Sequence, residues 1–229
     1  MLPTLLLLLL PLAARAEGGG SPSEAELASW STSVVEAARV AAGAGDVEAG
    51  RALYETCAGC HHATGIGDPG GTMPQIAGQH RSVLIKQMLD IRSGRRKNPI
   101  MAPYLEKLED ASAIADVAAY VAGLAVPRAN GKGPGVDLAR GRSLYESSCA
   151  RCHGQGGEGQ GEAYYPALRG QHYRYLVRQL IDLAGGRRGN AHPEMVVAIQ
   201  DFSARDVARV ADYVSRLSLA ELPEGGDRP

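Results

Sequence analysis

The 229-residue sequence predicts an all-α fold made of two tandem copies of one helical domain. Three observations lead there. A set of short motifs recurs about 92 residues apart. Apolar residues return every three or four positions, the period of a helix, and no stretch sustains the alternation of a half-buried strand.

Residues 1–16 read as a signal peptide. Leu2 to Leu12 is almost wholly apolar and ends in the small-x-small site Ala14-Arg15-Ala16. The run falls short of the roughly 20 residues that a membrane span needs. Cleavage there exports the chain to the periplasm, with Glu17 first. Residues 17–45 form an N-terminal helical extension with no copy in the second half. Ser23 and Glu26 are spaced as a capping box. Leu27, Trp30, Val34, Ala38 and Ala41 make one apolar stripe. A packing arm against one domain is the plain reading; a docking or membrane-surface helix, giving peripheral membrane association, is its rival.

The two copies span 46–126 and 137–220, joined by a Pro/Gly-rich linker at 127–136 and followed by a tail at 221–229. Gly50-Arg51-Ala52-Leu53-Tyr54-Glu55 matches Gly141-Arg142-Ser143-Leu144-Tyr145-Glu146, and Gly78-Gln79-His80 matches Gly170-Gln171-His172. Gly94-Arg95-Arg96 matches Gly186-Arg187-Arg188, Asn98 matches Asn190, and Pro74 matches Pro166. Each copy reads as three helices. The first starts near Val47 or Leu138 and runs into a cysteine motif. The second follows Gly-Gln-His: Val83, Leu84, Gln87, Met88 and Ile91 share a face, as do Tyr175, Leu176, Gln179, Leu180 and Leu183. Its stops are Gly94 and Gly185-Gly186. The third covers Ala111–Leu124 or Ala204–Leu217.

Composition narrows the function. With 24 basic and 25 acidic residues there is no basic excess for nucleic acid. One Trp, one Phe and nine Tyr leave thin cores for two domains of this size, so something else fills them.

The four cysteines identify what that is. They form Cys57-Ala58-Gly59-Cys60-His61 and Cys149-Ala150-Arg151-Cys152-His153. C-x-x-C-H is the attachment signature of a c-type haem. Two thiols one helical turn apart add to the haem vinyl groups, and the next residue, histidine, lies under the iron. A four-cysteine zinc site brings its knuckles about 15–20 residues apart, whereas 88 residues separate Cys60 from Cys149. Two disulfides would leave both histidines unexplained. The chain is therefore expected to carry two covalently attached c-type haems.

The sixth iron ligand follows by elimination. Thioether ligation raises the reduction potential and suits electron transfer. Met195 is the second domain's one methionine. In the first, Met73 aligns with Tyr165 and Met88 with Leu180, leaving Met101. Met101 and Met195 both fall in the loop before the last helix. His80 and His172, which also recur, are the bis-histidine rivals, with capping or propionate binding as their bland roles; His192 is a rival at the second iron. Pro74 and Pro166 each follow a ligand histidine by thirteen residues, and their carbonyls can accept from its Nδ1–H. Arg95, Arg96, Arg187 and Arg188 are read as propionate binders or as a solvated basic patch.

Taken together, these motifs resemble the dihaem class I cytochromes of the cytochrome c4 family over about residues 46–220. The resemblance implies two tandem class I cytochrome c domains, His61/Met101 and His153/Met195 ligation, and Pro74 and Pro166 carbonyls orienting the histidines. It also implies electron shuttling in the periplasm between a quinol–cytochrome c reductase and a terminal oxidase, with no catalytic residues. Three features depart from the family, one being the few aromatics, which leave the edge packing of the haems more to Leu, Ile, Val and Tyr. Tyr54 precedes Cys57 by three positions while Tyr145 precedes Cys149 by four, the commoner spacing, so the first haem helix is expected to be shifted or tightened. The 17–45 extension is outside the family core. An electron-transfer subunit of a dehydrogenase or oxidase is the alternative function. A dihaem peroxidase, which needs one open iron, is disfavoured by the symmetric methionines.

Overall fold

The computed structural model describes residues 22–217 except Glu109. The expected signal peptide at 1–16 and the tail at 221–229 lie outside the described residues. Helix α1 (Glu24–Ala41) opens on the capping box of Ser23 and Glu26. The first half follows with α2 (Val47–His61), α3 (Arg81–Arg92), α4 (Ala102–Leu105) and α5 (Ala111–Gly123). The second half holds α6 (Leu138–Ser148), α7 (Ala150–His153), α8 (Tyr173–Ala184), α9 (Pro193–Ile199) and α10 (Ala204–Ser215). Among the described residues there is no strand, only an isolated bridge between Gln160 and Tyr165. The fold is all-α, with short α4 and α9 added to the three main helices expected per copy.

Each half is organised by its first and last helix crossing at a glycine. A Cβ on Gly50 would stand 2.0 Å from Asp116 O on α5, and one on Gly141 2.3 Å from Arg209 O on α10. No side chain fits there, so the two backbones touch. Beside each crossing two tyrosines pack together: Tyr54 on Tyr120 at 5.3 Å between centroids, and Tyr145 on Tyr213 at 5.6 Å.

The unequal tyrosine spacing is resolved in the second copy, not the first. α2 runs unbroken from Val47 through His61. Its counterpart stops at Ser148, and Cys149, at φ −116°, separates α6 from α7. That break absorbs the additional residue. Both tyrosine hydroxyls then reach the same place: Tyr54 donates to His62 O at 2.8 Å and Tyr145 to Gly154 O at 2.6 Å.

α1 packs on α3 and α5 and also touches α9 of the second half. Its buried face differs from the expected stripe. Ser33 and Ala37 are buried, whereas Leu27 and Ala38 are exposed. The reason is polar: Ser33 Oγ donates to Asp90 Oδ1 at 2.5 Å. Asp90 also takes Lys86 Nζ at 2.7 Å and Arg95 Nε at 2.8 Å. The Lys86 ammonium sits 3.9 Å from the Trp30 ring centroid, and Trp30 meets the His192 ring edge-on at 4.8 Å. Trp30 thus bridges the two halves.

The linker is pinned to the second half. Asn130 Nδ2 donates to Gln171 O and Ser215 O at 2.9 and 2.7 Å, and Gly135 N donates to Asp212 Oδ2 at 2.6 Å.

Candidate functional site

In each half one helix end presents two cysteines and a histidine. No disulfide joins any of the four cysteines. Cys149 is buried and Cys57 partly buried, each one helical turn before the cysteine next to its histidine. His61 and His153 are each 6% exposed. His61 Nδ1 lies 3.1 Å from Pro74 O, and His153 Nδ1 2.9 Å from Pro166 O. A carbonyl only accepts, so each Nδ1 carries the proton. Burial holds both imidazoles below the usual histidine range, against a smaller upward pull from the proline carbonyls. Both rings are therefore neutral at pH 7, the form that binds metal. Neither Nε2 has a hydrogen-bond partner among the described residues.

The loop that brings each proline back is shaped by a left-handed glycine. Gly67 (φ 70°) donates to His61 O at 3.0 Å, and Gly159 (φ 74°) to His153 O at 2.8 Å. A Cβ on Gly67 would come within 2.3 Å of Pro74 O.

The two candidate methionines differ in setting. Met101 is the half-buried residue just before α4, packed on the first core, with its N–H on Asn98 Oδ1 at 3.1 Å. Met195 does not lie in a loop. It is the third residue of α9, which His192 caps by accepting from Glu194 N at 3.2 Å. Pro193 at the first helical position, after a capping residue, was the sequence signal for that helix.

Gly-Gln-His proves to be a latch between the halves. Gln171 accepts from Gln75 N at 3.0 Å and donates to Gln75 O at 2.8 Å. Gln79 accepts from Ala167 N at 2.9 Å and donates to Ala167 O at 2.9 Å. Gln75 and Ala167 are the residues next after Pro74 and Pro166, so each latch grips the loop holding the other half's histidine. The histidines complete it: His80 Nε2 meets Glu158 O at 2.8 Å and His172 Nε2 meets Ile66 O at 2.6 Å. His172 is fully buried, and its Nδ1 accepts from Gly131 N at 3.0 Å. Both of its nitrogens are occupied. Neither His80 nor His172 caps its helix through the side chain. The capping role read for them gives way to this one because the partners lie in the opposite half.

The arginine quartet divides. Arg95 pairs with Asp90 and Glu36, and Arg187 with Asp182. Arg96 and Arg188 meet only neutral groups at the boundary.

The donor set fits a c-type haem in each half: two thiols at helical spacing, then a buried neutral imidazole with its proton fixed on Nδ1. Fold and site together define a dihaem c-type cytochrome with covalently bound haems.

Comparisons agree. Residues 47–125 match the family model for cytochrome c, and residues 136–214 that for cytochrome c oxidase, cbb3-type, subunit III. Cytochrome c4 of Pseudomonas aeruginosa is 35% identical over 184 residues, covering 76% of this chain and 90% of that protein. A thiosulfate dehydrogenase electron acceptor of Stutzerimonas stutzeri is 35% identical over 176 residues, covering 72% of this chain and 80% of that one. The crystal structure of reduced recombinant cytochrome c4 from Pseudomonas stutzeri superposes with a TM-score of 0.68 at 28% identity, covering 76% of this chain and all of that one. The chain belongs to the cytochrome c4 family. It is an electron carrier, not an enzyme.

Proposed function

We propose that the chain is a periplasmic carrier passing electrons one at a time through two His/Met-ligated haems. Cys57 and Cys60 anchor the first haem, with His61 and Met101 on its iron. Cys149 and Cys152 anchor the second, with His153 and Met195. Bound haem supplies the ferric–ferrous couple, with no bond made or broken on a substrate. Pro74 and Pro166 fix each ligand imidazole's tautomer and orientation and raise its basicity.

The observation carrying this reading is the pair of buried imidazoles, each held at Nδ1 with Nε2 unengaged. The commitment of both His172 nitrogens supports methionine over a second histidine. Export rests on the sequence of residues 1–16. No helix among the described residues is long and apolar enough to cross a membrane.

Ligation is tested in the oxidised visible spectrum. The weak long-wavelength sulfur-to-iron charge-transfer band is expected in the native protein, halved in Met101→Ala or Met195→Ala and absent in the double variant. Bands unchanged in both single variants refute the methionine assignment. Peroxidase activity in the native protein would favour a dihaem peroxidase; confined to Met101→Ala, it marks an iron opened by the substitution.

For partners, the family resemblance points to a quinol–cytochrome c reductase as donor and a terminal oxidase as acceptor. A second reading has a thiosulfate dehydrogenase as donor, on the similarity to an electron acceptor of that enzyme. Rapid mixing of oxidised protein with each reduced donor separates them: the physiological donor reduces it fast, with a rate that depends on salt.

A further inference from the structure

Among the described residues, Tyr164 is one of three other than glycine with a positive φ, at 60°. The left-handed region costs a residue with a Cβ about 1–2 kcal/mol, and a bulky side chain there is an outlier. Tyr164 closes a tight hairpin in the second half. Gln160 N donates to Tyr165 O at 2.8 Å, Tyr165 N to Gln160 O at 2.9 Å, and Tyr164 N to Gly161 O at 3.0 Å. Nothing in the turn itself calls for an aromatic ring. Strain of this kind persists where the surroundings fix the residue.

Those surroundings belong to the other half. The Tyr164 ring packs on the first core, on which Cys57, Ala58, Leu84 and Met101 also pack. Two side chains at the start of α3 hold the hairpin there. Ser82 Oγ donates to Gly161 O at 2.6 Å, and His80 Nε2 meets Glu158 O at 2.8 Å. A Cβ on Gly161 would stand 3.2 Å from His80 Cγ, so hairpin and helix lie in close contact. Burial also pushes the Tyr164 hydroxyl up. The first copy is built differently. Its hairpin runs from Asp68 to Met73, and the left-handed residue is Gly71, at φ 84°. A Cβ there would come within 2.5 Å of Arg174 Cβ on α8. Thr72, the counterpart of Tyr164, is exposed, and its carbonyl meets the second half by accepting from Arg178 Nη2 at 3.0 Å. One hairpin thus approaches the opposite half with backbone, the other with a ring.

We infer that Tyr164, a residue of the second half, is a pocket residue of the first haem: its ring closes that pocket against water and so raises the first haem's electron affinity. Cys57 carries that haem, and the ring is seated on the core that Cys57 shares. Water favours the more highly charged ferric form, so an apolar wall that excludes it favours reduction. Thr72 offers the second haem no such wall. The first pocket is therefore complete only when the halves are docked. The inference rests on haem attachment at Cys57 and Cys60 and not on the methionine assignment, whose failure would show in the charge-transfer band.

The first measurement uses the native holoprotein. Proton NMR of the reduced form is expected to show cross-relaxation between the Tyr164 ring and substituents of the haem bonded to Cys57 and Cys60. Cross-peaks only to the haem bonded to Cys149 and Cys152, or to neither haem, overturn the inference. The second measurement uses the holoproteins Tyr164→Gly and Tyr164→Phe. Both midpoint potentials are taken by spectroelectrochemistry and assigned to their haems by NMR during oxidation. Tyr164→Gly relieves the left-handed strain while removing the ring. It should weaken electron affinity at the first haem about threefold, or about 30 mV at about 59 mV per tenfold, and leave the second haem in place. Tyr164→Phe restores the ring and should restore the potential. A tyrosine with a merely structural role predicts potentials unmoved in Tyr164→Gly whatever the change in Tm, and that result, or a raised potential at the first haem, overturns the inference. So do equal shifts at both haems, a shift confined to the second haem, and a Tyr164→Phe protein that behaves as Tyr164→Gly does. If Tyr164→Gly yields no folded holoprotein, Tyr164→Asn, which also accepts the left-handed region, replaces it with the same expected and overturning results.

Discussion

Gln79 in the first half and Ala167 in the second exchange two hydrogen bonds of 2.9 Å, donor to acceptor in each direction. Gln171 does the same with Gln75. One side-chain amide on each side thus reads the backbone next to the other side's histidine-orienting proline. Gln79→Ala or Gln171→Ala strands a backbone N–H and carbonyl at the boundary, at about 1–3 kcal/mol each. The double variant is expected to convert one cooperative denaturation transition into two, followed by Soret absorbance against denaturant. A single transition at the native midpoint would show that the latch does not join the halves.

Asp90 governs acid stability of the first half. Burial pushes its carboxyl up, but the Lys86 charge and the hydrogen bonds from Lys86, Ser33 and Arg95 outweigh that and hold it below the usual range. A depressed carboxylate stabilises the fold above its unfolded value, near pH 4, and that stability is lost as pH falls through the folded value. The native protein should therefore lose stability below about pH 4, while Asp90→Asn lacks this part of the pH dependence. At pH 7 the variant leaves Lys86 buried without its anion and should cost about 3–5 kcal/mol. Denaturation midpoints across pH check both statements.

The helix crossings tolerate no side chain. Gly50→Ala and Gly141→Ala place a methyl on a backbone oxygen, and separating the helices should cost about 3 kcal/mol, the upper end of ordinary overpacking. Urea denaturation of the holoproteins measures it. A loss under about 0.5 kcal/mol, the range of neutral surface changes, would contradict the crossing geometry.

Trp30 is the chain's single tryptophan, and it reaches both halves through Lys86 and His192. Trp30→Ala should free α1 without altering either haem's spectrum. Limited proteolysis is expected to cut within residues 24–45 of the variant well before the native protein. Equal rates would show that the ring does not hold the arm.

Much of this was legible in the sequence because the repeat compares the chain with itself. Offset alone paired Gln79 with Gln171 and Arg96 with Arg188. It could not say that the members of each pair bind across the boundary, since recurrence reports equivalence and not contact; His80 and His172 therefore read as caps or propionate binders, with iron ligation as the rival. Ser33 was invisible for another reason: a polar residue facing a buried carboxylate breaks the apolar stripe, so the arm's inner face was set one residue off. The break at Cys149 was misplaced into the first copy because spacing shows that one helix differs, but not which one yields.

The proposed His/Met ligation would hold each iron on both sides and leave no vacant place for a reactant. Addition of carbon monoxide to the native ferrous protein at neutral pH tests it most directly. Unchanged Soret and α-bands at both haems are the predicted result. Ready formation of a carbonyl complex at either haem would contradict a carrier closed at both centres.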